Sequence, residues 1–461
     1  MVEGAPLLRE YTSKAYRGFE SLPLRQTFHF IAIPIRMSGP SAVWGIVMSK
    51  AELTLTRRSV VGGLTAAPFA LAAKSAPSGV YDAAVVGAGV FGAWTAWKLA
   101  MSGMKIVLID AYGPANSRAS SGGESRVTRI AYGESEIYSR WAQTAMRDWR
   151  ALSEEQEIPV FHRTGVLWFS SARDDYIDAS LRTLKTLNVA AATMDQATLA
   201  GQYPQINFSG VSIGFLEKDS GALMARRGVQ TLVRKSIDQG VDYIIGKAGA
   251  PVQLDGMVRI PLDGGRKLEA AKAVYACGPW LPKVFPDIIG RRIIPTRQEV
   301  FYFGTKAGDT RFSPPALPVW ADFNDGDIFY GLPDLESRGF KIAHDAHGPA
   351  VDPDKLERQS SAKSLERVRD YMARRFPGLA NAPLLESRVC QYENTSSGDF
   401  LIDRHPAMEN VWLVGGGSGH GFKHGPSLGA YVATRVLDDT LTVDARFRLA
   451  SKKSEPARAV H

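Results

Sequence analysis

The apolar positions between residues 81 and 110 change period twice. A continuous apolar run, Ala83–Val86, enters Gly87-Ala88-Gly89-Val90-Phe91-Gly92, after which helical spacing continues to about Ser102. A second run, Lys105–Ile109, ends on Asp110. Unbroken apolar runs predict strands buried on both faces, and the helical stretch between them predicts the crossover of a parallel unit. The logic returns near the C-terminus: Val411–Val414 reads as a buried strand, residues 415–425 as a glycine-rich loop and Ser427–Leu437 as a helix. Between these units, "DIFYGLP" and "GFKIAH" read as adjacent strands. In "SAKSLERVRDYMARRF" the positions Leu365, Val368, Tyr371 and Met372 form the apolar stripe of a helix packed on a core. No internal repeat or coiled coil is evident.

Strand, glycine turn, helix, strand and acid together point to dinucleotide binding. Gly87 permits the tight turn, Gly89 lets the backbone approach a pyrophosphate, and Gly92 lets helix and strand pack closely. The helix N-terminus offers N–H groups to phosphate, and Asp110, 23 residues beyond Gly87, is placed to accept from a ribose. This unit alone leaves FAD and NAD both open. In the second unit, glycines at 415, 416, 417, 419 and 421 remove side chains so that something large and flat can lie against the backbone. Alone, such a loop reads equally as a mobile connection.

Composition then narrows the field. The 461 residues are 45% hydrophobic and 22% charged, enough for two domains with substantial cores. The formal charge of +8 does not mark a nucleic-acid binder. Residues 1–73 hold eight Lys/Arg against four Asp/Glu, so half of the excess lies in the leader, and no basic block follows. Two cysteines exclude a disulfide scaffold and are too few for a structural zinc site. In residues 48–76, Arg57 and Arg58 precede an apolar run, residues 60–73, which ends in "ALAA". This pattern predicts a twin-arginine signal and an exported, periplasmic protein, with a cytoplasmic one if the segment is not used. The run is shorter than the roughly 20 residues that span a bilayer, so no stable membrane span is expected. Residues 1–47 read as a non-native or disordered extension, and 446–461 as a flexible tail.

Ten segments in one order extend this reading: "VVGAGVFG", "SRVTRIAYGE", "RTGVLWF", "DSGAL", "ACGPW", "PTRQEV", "FYGLPD", "GFKIAHD", "VCQYENTSSGDFLIDRHP" and "GSGHGFKHGP". From about residue 80 to 445 the chain resembles the FAD-dependent amine oxidases typified by monomeric sarcosine oxidase and N-methyltryptophan oxidase, in the D-amino acid oxidase-like superfamily. The resemblance implies an α/β fold. A Rossmann-like FAD-binding domain (80–160, 215–292 and 386–445) is expected to interleave with an α+β substrate domain (161–214 and 293–385) on a mixed antiparallel sheet. It also implies that Arg129 and Lys423 hold a substrate carboxylate, that Lys341 activates oxygen and that Arg126 stabilises reduced flavin. Tyr330 and Tyr392 fall at active-site positions, with core packing as the alternative. Ser120, Arg126, Gly419, Gly421, Phe422 and Lys423 join Gly87, Gly89, Val90, Phe91, Gly92 and Asp110 as expected FAD contacts. Cys390 is expected to tether FAD through the flavin 8-methyl carbon; a disulfide to Cys277 or a plain buried thiol are the other readings.

Two departures from the family pattern alter the pocket around the amine. Ser121-Gly122 stand where sarcosine oxidases often have two histidines, and Asp345 replaces a histidine, with His344 one place earlier. Sarcosine itself is therefore not the expected substrate. The expected activity is FAD-dependent oxidation of a secondary amino acid, an N-methyl amino acid or a cyclic imino acid, by transfer to flavin N5. The imine then hydrolyses and oxygen yields hydrogen peroxide. Alternatives are an amino-acid dehydrogenase feeding a quinone or protein carrier, and a non-catalytic flavin-binding module. The expected partners are a small amino acid and oxygen, for a monomer without metal.

Overall fold

The computed structural model describes residues 80–324 and 327–454. The predicted extension and signal, 1–47 and 48–76, lie outside the described residues.

Tyr81–Val86 is the centre of an eight-stranded sheet, flanked in parallel by Ile106–Asp110 and Lys267–Tyr275. Asp242–Ile245 and Met408–Gly415 extend the parallel part on either side. The crossover helix is Val90–Met101, of which every residue from Val90 to Ala96 is buried. That explains its weak polar face: the sheet covers one side and the helix Gly425–Leu437 the other. Gly425 and Gly429 make the second contact close, since a Cβ on either would come within 2.7 Å of Val90 or Trp94. The α/β class and the nucleotide-binding architecture expected from the sequence are therefore present.

The second eight-stranded sheet is mixed. Val319–Asn324 runs parallel to Val166–Ser170, and the other neighbours are antiparallel. "DIFYGLP" and "GFKIAH" do pair, with Tyr330 opposite Ala343 and Leu332 opposite Lys341. The helix Ala362–Arg375 buries Val368, Tyr371 and Met372 on this sheet. Tyr371 stacks on Phe329 at 3.9 Å between centroids and donates to Asp322 at 2.8 Å.

Two of the expected boundaries fall inside strands and are corrected. Ile213–Glu217 pairs with Val166–Ser170 and Ala191–Met194, so residues 215–217 belong to the substrate sheet. Leu384–Thr395 pairs along its length with Ile293–Phe303, which places residues 386–395 there too. Local patterning does not reveal a strand's partner, and the partner decides the layer. The tail is corrected in part: among residues 446–454, Phe447 and Lys452 are buried. Phe447 is fully buried against Trp141, Phe400 and Tyr431, and Lys452 Nζ donates to the Arg446 carbonyl at 2.5 Å. No described helix is long and apolar enough to cross a membrane.

Candidate active site

A cavity of about 830 Å³ opens at the C-terminal edge of the parallel strands. Gly87, Gly89, Val90, Phe91, Asp110 and Ser120 line it, while Gly92 does not. Each glycine has its own reason. Gly87 has φ +108°, and a Cβ there would sit 2.3 Å from the Ala276 carbonyl oxygen; one on Gly92 would sit 1.8 Å from that of Gly87. At Gly89 a Cβ would meet only Ser121 Oγ, at 3.5 Å, so protein packing does not demand that glycine and the cavity side is open for a ligand. Asp110 first braces the turn, accepting N–H bonds from Ala88 at 2.7 Å and Tyr112 at 2.8 Å. Burial nevertheless raises its pKa against those bonds. Ser120 Oγ is buried with no hydrogen-bond partner among the described residues.

The six predicted catalytic residues divide into two groups. In the first, Arg129 follows the strand Ser125–Thr128 and lies buried, its guanidinium carbon 3.9 Å from the Tyr132 ring centroid and 5.3 Å from that of Trp168. Lys423 is also buried; its Nζ donates to Tyr132 Oη at 2.8 Å and to the His420 carbonyl at 2.7 Å. Burial and then the Arg129 charge hold its pKa well below the usual lysine range. Tyr392 belongs to the same group, donating to Asp345 Oδ1 at 3.1 Å. Burial raises the Asp345 pKa to about 6, against the Tyr392 hydrogen bond and the charges of Arg129 and Lys423. Tyr330, its pKa also raised by burial and then by Asp345, completes the group.

The second group gathers at one carbonyl. Lys341 Nζ and Arg126 Nη1 donate to the Ser125 oxygen at 2.9 and 2.8 Å. Burial, then the Arg126 charge, lowers the Lys341 pKa to about 7. Arg126 also donates to the Ser120 carbonyl at 2.6 Å and lies over the Phe422 ring. Cys390 is a half-buried free thiol, as is Cys277. Two residues from Tyr392 on the strand Leu384–Thr395, Cys390 projects from the same face of the sheet.

Several expected FAD contacts lie elsewhere. Cys390, Gly419, Gly421, Phe422 and Lys423 do not line the 830 Å³ cavity; Cys390 borders a second one of about 530 Å³ with Arg118, Arg226, Arg358 and Arg388. The loop glycines chiefly answer the protein's own packing. A Cβ on Gly419 (φ +77°) would lie 2.7 Å from the Tyr392 ring, and one on Gly421 equally close to Phe91. Phe422 stacks on Trp149.

Sequence reasoning missed five residues: Tyr132, His420, His424, Glu217 and Glu393. Tyr132 Oη joins Lys423 to His424 Nε2 at 2.8 Å and His420 Nδ1 at 3.3 Å. Glu217 is buried beneath Arg129, accepting from Ile130 N–H, Ala131 N–H, Trp168 Nε1 and Ser220 Oγ at 2.7–3.1 Å. Glu393 lines the large cavity. The available signals were an acid closing the apolar run "GFLE", and polar residues beside Lys423 and Tyr392 inside quoted motifs.

With this geometry the comparisons agree. The FAD dependent oxidoreductase family matches residues 82–435, and the chain belongs to it. The N-methyl-L-tryptophan oxidase of Salmonella heidelberg (strain SL476) is 29% identical over 379 residues, covering 80% of this chain and 98% of the relative. The fold is shared with L-proline dehydrogenase from P. horikoshii (TM-score 0.70, 16% identity, 80% of this chain and 96% of that one). It is shared also with NikD, an amino acid oxidase of nikkomycin biosynthesis (TM-score 0.66, 19% identity, 80% and 96%). FAD fits the residues present: the open side of Gly89, the Gly87 turn, Asp110 and the unpartnered Ser120 hydroxyl form its cradle. The protein is an FAD-dependent oxidoreductase.

Proposed function

We propose that the chain oxidises the C–N bond of a secondary amino acid, an N-methyl amino acid or a cyclic imino acid, with oxygen as the electron acceptor. One observation carries this reading: two buried cations, Arg129 and Lys423, lie against one tyrosine ring in the electrostatic reach of a half-buried carboxyl, Asp345. An amino acid has the matching charges. Its carboxylate takes the guanidinium fork and the ammonium, while its amine faces Asp345. The names of the relatives, oxidases and a dehydrogenase of amino acids with substituted or cyclic nitrogen, support the same class.

Bound FAD supplies the two-electron acceptor; the chain supplies binding, orientation and charge. Asp345, ionised above about pH 6, accepts the proton that a secondary ammonium must lose before its carbon can be oxidised. Lys341, beside Arg126, presents positive charge where oxygen would acquire negative charge, which supports oxygen over a carrier. Cys390 shares a strand face with Tyr392, which supports a covalent tether to FAD at that position. The paired arginines at 57 and 58 support export of the folded holoprotein, tested by N-terminal sequencing of exported chain.

The deciding experiment gives N-methyl amino acids, proline and pipecolate to purified protein while flavin bleaching and peroxide are followed together. Bleaching with stoichiometric peroxide is the expected result. Bleaching without oxygen uptake makes it a dehydrogenase, and no bleaching with any amine leaves a non-catalytic flavoprotein. Acid precipitation tests the tether: yellow colour should stay with the wild-type pellet and leave that of Cys390→Ala.

A further inference from the structure

Glu393 sits where an acid is unexpected. It lines the large cavity between two glycine turns, one holding Gly278 after the strand Lys267–Tyr275 and the other holding Gly417 after Met408–Gly415. These turns mark the C-terminal edge of the parallel sheet, where dinucleotides lie in this architecture. A Cβ on Gly278 would stand 3.3 Å from Glu393 Oε2, and one on Gly417 3.1 Å from Oε1. One carboxyl oxygen accepts the Gly417 N–H, while Oε2 is buried without a partner among the described residues. Among the described residues no arginine or lysine pairs with it.

A buried carboxylate with a single N–H donor is costly, and it would share its cavity with a cofactor whose pyrophosphate is negative. The protonated acid avoids both penalties, but its O–H then requires an acceptor, which the described residues do not provide. FAD offers several, in its phosphate oxygens and ribityl hydroxyls. We propose that Glu393 is a cofactor-binding residue that works as a neutral carboxylic acid, donating a hydrogen bond to FAD, so that FAD retention weakens when this acid ionises. Burial supports this by raising its pKa to about 7, with the Gly417 hydrogen bond opposing.

Cys277, on the Gly278 turn, is held as a neutral thiol by burial first and then by the charge of Asp110. Farther round the cavity lie Asp110, Lys247, Lys283, Asp287, Asp354 and His405. The paired strand Ile293–Phe303 places Pro295 opposite Glu393, and the loop 415–419 carries no charge. Lys341, which titrates in the same range, belongs to the separate group around Ser125.

The test uses full-length holoprotein carrying Cys390→Ala, in which FAD exchanges whether or not the native protein tethers it. FAD release after dilution is followed by the rise of flavin fluorescence between pH 5.5 and 9. Release should be flat below about pH 6.5 and accelerate by up to about tenfold per unit above pH 7. Adding Glu393→Gln, neutral at every pH, should flatten the profile. A release rate independent of pH with Glu393 intact overturns the proposal without any change at that residue. So does a pH slope that survives Glu393→Gln, which would assign it to Lys341. The readout is binding, so it stands apart from substrate identity and oxygen use.

Discussion

Arg129 and Lys423 share one aromatic ring: the guanidinium carbon lies 3.9 Å and the ammonium nitrogen 5.3 Å from the centroid of Tyr132. Two buried cations at such range repel, and each contributes to holding the other's environment ready for an anion. The Tyr132 ring face, the buried Glu217 and the half-buried Asp345 offset that repulsion. Removing either cation should therefore weaken carboxylate binding rather than disrupt the fold. Arg129→Ala or Lys423→Met is expected to raise KM for an amino-acid substrate by about 10- to 100-fold, the worth of one charge-assisted hydrogen bond. A secondary amine lacking a carboxylate should be oxidised equally poorly by all three proteins. Steady-state kinetics on both substrates check this.

Asp345 sets an acid limit on the reaction. Its folded pKa is about 6, so the carboxyl is ionised above that pH and neutral below it. As pH falls through 6, kcat/KM should drop by about tenfold per unit, because the proton acceptor is lost. Asp345→Asn should lower the plateau by about 10²-fold and remove this limb. A retained limb near pH 6 in the variant would assign the titration elsewhere.

Lys341 should act on the opposite half of the cycle. Its pKa of about 7 leaves it cationic below that pH and progressively neutral above it. Reoxidation of reduced flavin by oxygen should consequently slow as pH rises through 7. Lys341→Met should slow that step by about 10²- to 10³-fold and remove its pH dependence, while anaerobic bleaching by substrate is unchanged. Stopped-flow measurement of the two half-reactions separates them.

Much of this site was legible because its elements are local. The Gly87–Gly92 turn and Asp110 belong to one continuous segment whose period changes are visible along the chain. Arg129, Lys341 and Lys423 were found through quoted motifs, but their grouping was not. Only the fold brings Lys341 to the Ser125 carbonyl that Arg126 also meets, and Tyr132 between Arg129 and Lys423. The glycine loop was read as a bed for the cofactor, whereas Tyr392 and Phe91 already fill the space that Gly419 and Gly421 vacate. Domain boundaries failed for the same reason: Leu384–Thr395 is assigned by a partner strand some 90 residues away. Long-range pairing leaves no local trace in composition or period.

Glu217 offers a test of the scaffold beneath the substrate site. It is fully buried, and its two oxygens accept four hydrogen bonds, from the Ile130 and Ala131 amides, Trp168 Nε1 and Ser220 Oγ. It thereby fixes the chain just after Arg129 and the ring of Trp168 over which the guanidinium lies. Glu217→Gln keeps the shape but turns one acceptor into a donor facing N–H groups. At least one buried donor is then left without a partner, at a cost of about 1–3 kcal/mol. The urea midpoint should fall by the corresponding amount with an unchanged slope. KM for the amino acid should rise as well, since Arg129 loses both its alignment and a neighbouring negative charge, while the anaerobic FAD spectrum stays that of the parent. A stability loss without a change in KM would confine Glu217 to folding and separate it from substrate binding.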